Sequence, residues 1–118
     1  MVINYELCPQ KYTKVTCEEE NMQKYNAPHH FEVVNKDTDE VVGKVDFQEG
    51  PIKECGLNGI SNEDVLLMVL TRLEYFQKSK YSCMENEMAS LKIKEALVWL
   101  NRRTLKREKN GTEGTSQV

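Results

Sequence analysis

An uninterrupted helical pattern over residues 83–109 constrains this chain more than any other feature of its sequence. The stretch contains no proline, and its main apolar residues recur at spacings of three and four: Ala89, Ile93, Ala96, Leu97 and Leu100. Asn110-Gly111 follows as a C-cap signal. About 27 residues at 1.5 Å each make a helix of ~40 Å, longer than a small globule needs. Part of this helix must therefore be exposed or contact another subunit.

A second helical pattern begins at Ser61, a good N-cap followed by Asn62-Glu63-Asp64, which places acids in the positive first turn. We expect this helix to end near Lys78, and residues 79–82 to form a short connection. Its apolar stripe is Val65, Met68, Val69, Leu73 and Phe76, widened by Leu66 and Leu70. Because the apolar faces of both helices are wide, we predict an antiparallel two-helix hairpin that assembles as a homo-oligomer.

The region before the helices has the pattern of a β-hairpin. Residues 31–34 and 41–47 are rich in β-branched and aromatic residues, and residues 35–40 between them are typical of a turn. Residues 49–60 carry glycine and proline breakers and predict a loop. Residues 1–30 are the least informative, with Val2–Tyr5 as a candidate short strand. Residues 111–118 have the composition of a disordered tail.

These patterns predict an α+β fold in which a short N-terminal antiparallel β-hairpin precedes a long two-helix antiparallel hairpin. The length of 118 residues is typical of a single domain. We divide this domain into residues 1–57, the β part and loop, and residues 58–118, the helical hairpin and tail.

Composition and charge exclude several classes of protein. The longest apolar run, Val65–Leu70, is far too short to span a bilayer, and no signal peptide is visible, so we expect a cytoplasmic protein without membrane contact. Net charge is −3 overall, but residues 61–118 carry ten Lys or Arg and eight Asp or Glu. An acidic total argues against binding of a nucleic acid polymer, while the basic C-terminal half can hold a local anion site. The four cysteines show no metal or disulfide spacing, so we expect free thiols.

No catalytic constellation, metal site or cofactor motif is present in the sequence. His29 and His30 are adjacent before a strand and would point to opposite faces. The most informative cluster is Arg102–Arg107, in which Arg103 and Arg107 share a helical face and can grip phosphate oxygens. The alternative is that these cations complement the negative end of the helix dipole.

Two further residues have the chemistry to contact a nucleotide. Phe76, next to Tyr75 near the end of the first helix, offers a face on which a base can stack. Asn86, near the start of the second helix, has an amide that can bind a base edge. The alternatives are that Phe76 belongs to the core and that Asn86 is an ordinary exposed residue.

Several short motifs in a fixed order carry a family resemblance. They are Gly59–Leu66, Arg72–Gln77, Cys83–Asn86, Ala96–Leu100, Arg102–Arg107 and Gly111–Thr115. With these motifs, residues 58–115 resemble the hairpin domain of phage sponge proteins that sequester immune nucleotide signals, the anti-Thoeris and anti-CBASS proteins of the Acb/Tad type. The preceding segment, residues 27–51, is similar to the β-hairpin of the anti-Thoeris branch.

The resemblance implies a binder that is not an enzyme. Members of this family assemble as hexamers, described as trimers of dimers, and hold cyclic ADP-ribose isomers or cyclic oligonucleotides in pockets between subunits. By motif position, Phe76 would stack on an adenine and Asn86 would contact the ligand. Arg103 and Thr104 match a pair that meets phosphates, and Arg107 matches a further basic position. Met84 and Lys109-Asn110 depart from the family pattern.

Three other functions are consistent with the residues alone. One is a phage structural or protein-interaction module with no small ligand. Another is a nucleotide-degrading enzyme that uses His29 or His30 as its general base. The third is an RNA or DNA binder that uses the run from Arg102 to Lys109.

Overall fold

The computed structural model describes all 118 residues, which form two compact units, Met1–Ile60 and Ser61–Val118. The first unit contains the strands, and the second contains the two long helices. The predicted α+β class is therefore confirmed. No helix in the protein combines the length and the apolar character needed to cross a membrane.

The first unit is built on a three-stranded antiparallel sheet in the order β1 (Thr13–Cys17), β2 (His30–Asn35) and β3 (Val41–Asp46). Strands β2 and β3 are the predicted hairpin, but β1 was not predicted. The candidate strand Val2–Tyr5 is reduced to a single bridge between Val2 and Thr16 on the free edge of β1. The predicted hairpin is therefore present, and a third strand that the sequence did not indicate extends it by pairing along β2.

Both faces of this sheet carry apolar side chains. Cys17 lies opposite Phe31, which lies opposite Val45, and the rings of Phe31 and Phe47 meet edge to face at 5.5 Å between centroids. Cys17 is buried, as is Val34, which lies on the other face of β2. The sheet therefore buries only a small core.

The segment between β3 and the long helices contains more structure than the predicted loop. It includes one turn of helix, α1 (Ile52–Cys55), and a parallel bridge from Phe47 to Ile60. A β-carbon at Gly59 would collide with the backbone carbonyl of Phe47, so only glycine allows this close approach. The segment is thereby fixed against the end of β3.

The second unit begins as predicted, with Ser61 as the N-cap of α2 (Asn62–Gln77). The hydroxyl of Ser61 accepts the backbone N–H of Asp64 at 3.1 Å, and the Asp64 carboxylate accepts the backbone N–H of Ser61 at 2.9 Å. The bond from the Ser61 backbone N–H to the carboxylate is the largest cause of a lowered pKa of Asp64. Cys83 is the N-cap of α3 (Met84–Lys109), and Asn110 is its C-cap. The limits of both helices agree with the predicted ones to within a residue or two.

The chain reverses between α2 and α3, and the less exposed side chains of the two helices recur at alternating spacings of four and three. On α2 they are Leu66, Leu70, Leu73 and Gln77, and on α3 they are Asn86, Ser90, Ile93, Leu97, Leu100, Thr104 and Arg107. Val65 and Ala96, beside these two rows, are also half-buried. Only Leu70 and Ser90 are buried. Met68 and Val69, which the sequence assigned to the main stripe of α2, are exposed. The packed face of α2 is therefore rotated from the predicted one.

The C-terminal tail is not the disordered segment that composition predicts. The backbone N–H groups of Thr112 and Glu113 donate to the carbonyl of Arg107 at 2.9 and 3.2 Å. The Arg107 guanidinium donates in return to the carbonyls of Thr112 and Thr115, at 2.8 and 3.0 Å. Residues 112–115 thus fold back on the last turn of α3.

Candidate functional site

A cavity of about 450 Å³ lies at the C-terminal end of α2, beside the connection to α3. Its lining residues are Thr71, Arg72, Tyr75, Phe76, Ser79 and Tyr81. Phe76 and Tyr81 meet edge to face, with ring centroids 6.5 Å apart and planes at 85°. The cavity is within the size range of small-molecule sites, and half of its lining residues are aromatic. This surface suits a flat ring such as a nucleobase.

Hydrogen bonds hold the connection so that Tyr81 lies against Phe76. The Ser79 hydroxyl donates to the carbonyl of Phe76 at 2.6 Å and accepts the backbone N–H of Tyr81 at 3.1 Å. The Gln77 side chain donates to the carbonyl of Cys83 at 2.9 Å and accepts the N–H of Cys83 at 3.0 Å. The two aromatic walls are therefore positioned by bonds from the Ser79 and Gln77 side chains to the backbone of the turn.

Basic side chains surround these rings, and none of them forms an ion pair. The guanidinium of Arg72 is 5.5 Å from the centroid of Phe76, and the ammonium groups of Lys78 and Lys80 are 5.1 and 5.2 Å from Tyr75 and Tyr81. No carboxylate forms an ion pair with any of these three cations, so their charges are available to an anionic ligand. An aromatic surface with unpaired cations suits a ligand that carries both a base and a phosphate.

The predicted ligand residues lie in two places along the hairpin. Phe76 is in the last turn of α2 and Asn86 in the first turn of α3, on either side of the connection. Arg103, Thr104 and Arg107 lie near the other end of α3. The 17 residues from Asn86 to Arg103 span about 25 Å of helix. One chain therefore does not bring all five residues to one pocket.

The three residues near the end of α3 differ in their surroundings. Arg103 is exposed and forms no hydrogen bond or ion pair, so its guanidinium is available to an anion. The hydroxyl of Thr104 donates to the carbonyl of Leu100 at 3.2 Å, within its own helix. Arg107 is half-buried and held by the tail carbonyls described above, which fixes its orientation.

Sequence reasoning missed Arg72 and Tyr81 as cavity residues. Arg72 precedes Phe76 by four residues, and this helical spacing was a usable signal. Tyr81 lies in the connection, where no periodicity applies, so its contact with Phe76 depends on the hydrogen-bonded turn.

Both histidines are engaged by neighbours within the first unit. The Nε2 atom of His29 lies 2.6 Å from the carbonyl oxygen of Lys24. Both ring nitrogens of His30 lie near carboxylates, Nδ1 at 2.8 Å from Asp46 and Nε2 at 3.2 Å from Glu49. These two bonds raise the pKa of His30. No group of three or more histidine, cysteine or acidic side chains is arranged to hold a metal ion.

Comparisons with known proteins point to one family. Residues 39–105 match the family model described as the Acb2/Tad1 hairpin domain, which covers more than half of the chain. The chain is also 41% identical, over 138 aligned positions, to a protein named Thoeris anti-defense 1 from Bacillus phage SBSphiJ7. That alignment covers 98% of this chain and 97% of the relative.

Proposed function

The chain belongs to the Acb2/Tad1 hairpin-domain family, and we propose that it is a phage anti-defence protein that sequesters a cyclic nucleotide immune signal in the host cytoplasm without degrading it. The observation that carries this proposal is the aromatic cavity around Phe76, with unpaired cations beside its rings. The ligand class is a cyclic ADP-ribose isomer or a cyclic oligonucleotide. Such ligands carry a base that stacks on aromatic rings and phosphates that bind guanidinium groups.

Sequestration needs no reacting group, and the cavity presents aromatic, hydroxyl and cationic side chains without a carboxylate or imidazole among its lining residues. A cyclic ligand has few rotatable bonds to immobilise, so few contacts are needed for tight binding. We therefore expect the protein to be a binder and to release the ligand unchanged.

We further propose that two chains complete each ligand site. Phe76 and Asn86 are about 25 Å along the hairpin from Arg103 in one chain, so a pocket that contains all of them requires the opposite end of a second hairpin. Arg103, Thr104 and Arg107 of that second chain would then meet the phosphates.

The surface of α3 supports such an assembly. A stripe of large apolar residues lies on the side of α3 opposite its less exposed face and is exposed to solvent: Met84, Met88, Leu91, Val98 and Leu105. Met84 is 73% exposed, and only Leu70 and Ser90 are buried in this unit, so one chain leaves many large apolar side chains uncovered. We expect a homo-oligomer, and the resemblance to the family favours a hexamer built as a trimer of dimers.

Two measurements on the purified protein test this function. Cyclic ADP-ribose or a cyclic trinucleotide should raise the melting temperature and give a saturable heat in isothermal titration, because a ligand that binds only the folded state stabilises it. Light scattering should give a mass several times that of the 13.7 kDa chain. Absence of any response to both ligands would favour a structural or interaction module, and a monomer mass would contradict the two-chain site.

A further inference from the structure

One of the residues that line the cavity around Phe76 is a cation, Arg72, which is not among the five predicted ligand residues. Arg72 lies one helical turn before Phe76 and lines the same cavity, with its guanidinium 5.5 Å from the ring centroid. Arg103 of the same chain lies about 25 Å along α3 from the first turn of that helix. Within one chain, Arg72 is therefore the arginine that would lie next to a base stacked on Phe76.

The charge of Arg72 is not paired with a carboxylate, and its only charged contact is with the face of Phe76. The carboxylate of Glu74, the acid two residues away, lies 3.7 Å from the ammonium of Lys94 on α3. Arg72 forms no ion pair, and Lys78 and Lys80 add two more unpaired positive charges to the same segment. A guanidinium beside a ring face can rotate toward an anion while its stem stays on the aromatic surface.

We propose that Arg72 is a ligand-binding residue that pairs with a phosphate of the nucleotide whose base lies against Phe76 and Tyr81 of the same chain. This inference rests on the proposed function and adds a second phosphate contact to it, supplied in cis. Arg103 and Arg107 of the second chain would then meet other phosphate oxygens of the same ligand. A diphosphate or oligonucleotide ligand has enough anionic oxygens for both.

The test compares four proteins by isothermal titration with cyclic ADP-ribose and with a cyclic trinucleotide: the parent, Arg72→Gln, Arg72→Lys and Arg102→Gln. Arg102 is the matched control because its guanidinium also lies over a ring, 4.7 Å from Trp99, but outside the cavity. Each titration is repeated at low and at high salt, since an exposed ion pair is screened by salt. Melting temperatures of all four proteins report the fold.

We expect Arg72→Gln to weaken binding of the better ligand at least tenfold and to reduce the salt dependence of its affinity. Arg72→Lys should recover part of the loss, and Arg102→Gln should bind like the parent. If the parent binds and Arg72→Gln binds equally well with the same salt dependence, the role of Arg72 is wrong and the proposed function stands. If affinity falls equally in Arg72→Gln and Arg102→Gln, the effect is a general loss of charge and the inference is also wrong. If the parent binds neither ligand, the proposed function fails first.

Discussion

Replacement of Phe76 separates a base-stacking role from a packing role. The ring is 39% exposed and contacts Tyr81 and the Arg72 guanidinium, so it lies at the cavity surface. Stacking of a base on an aromatic side chain contributes about 1–3 kcal/mol. At 1.4 kcal/mol per decade, Phe76→Ala should weaken ligand binding by about five- to 150-fold.

The same variant should also lose some stability. An edge-to-face ring pair contributes about 0.5–1.5 kcal/mol, and an exposed cation–π pair contributes about 0.5–1 kcal/mol. We therefore expect a fall in melting temperature of several degrees, with the folded state retained at room temperature. Phe76→Tyr keeps the flat ring and should restore both binding and stability.

Trp99→Ala is the matched control, because Trp99 forms a comparable pair with Arg102 away from the cavity. Titration of cyclic ADP-ribose and a cyclic trinucleotide at 25 °C, combined with thermal melts, distinguishes the two roles. The reasoning is refuted if Phe76→Ala loses stability but binds like the parent, or if Trp99→Ala weakens binding as much as Phe76→Ala does.

Four further outcomes are expected. Arg103→Ala should weaken ligand binding by one to two decades in titration with little change in melting temperature, since a charge-assisted bond contributes roughly 1.5–3 kcal/mol. Arg103→Lys should recover only part of that affinity, and equal binding by the parent and both variants would remove Arg103 from the site. Met88→Glu combined with Leu91→Glu should lower the mass measured by light scattering, and an unchanged mass would place the subunit contact elsewhere. Ser90→Ala should raise the unfolding free energy by ~1 kcal/mol, because the buried Ser90 hydroxyl has no hydrogen-bond partner; a loss of stability in denaturant titration would show that the hydroxyl is satisfied. Because its pKa is raised in the folded state, His30 contributes stability that is full below pH 6.5 and is lost as pH rises through the folded-state pKa. The melting temperature of the parent should therefore fall over this range more than that of His30→Gln, and parallel pH profiles of the two proteins would contradict this.

The helices could be predicted because their signals are local. Ser61 and Asp64 form a capping box, and no proline interrupts residues 83–109, so both helix limits follow from neighbouring residues. The packed face was harder to predict. Polar residues interrupt the packed rows of both helices: Gln77 follows Leu73 on α2, and Ser90 precedes Ile93 on α3. A count of apolar residues alone therefore misses the four-and-three repeat.

Strand β1 and the cavity could not be predicted for a different reason, which is that both depend on contacts distant in sequence or on a specific turn. Thr13–Cys17 contains two threonines and a lysine, and its pairing is set by β2, about 15 residues further along the chain. Tyr81 reaches Phe76 only because Ser79 and Gln77 hold the connection by hydrogen bonds. Phe76 itself was found from its aromatic character and its place near a helix end.

The most direct test of sequestration is to identify what the protein releases. The purified protein is incubated with cyclic ADP-ribose or a cyclic trinucleotide, freed of unbound ligand by gel filtration, and denatured by boiling. The released small molecule is then identified by mass spectrometry. The account predicts recovery of the intact cyclic ligand in a fixed ratio to the chain, and recovery of a linear or cleaved product, or of no nucleotide at all, would contradict it.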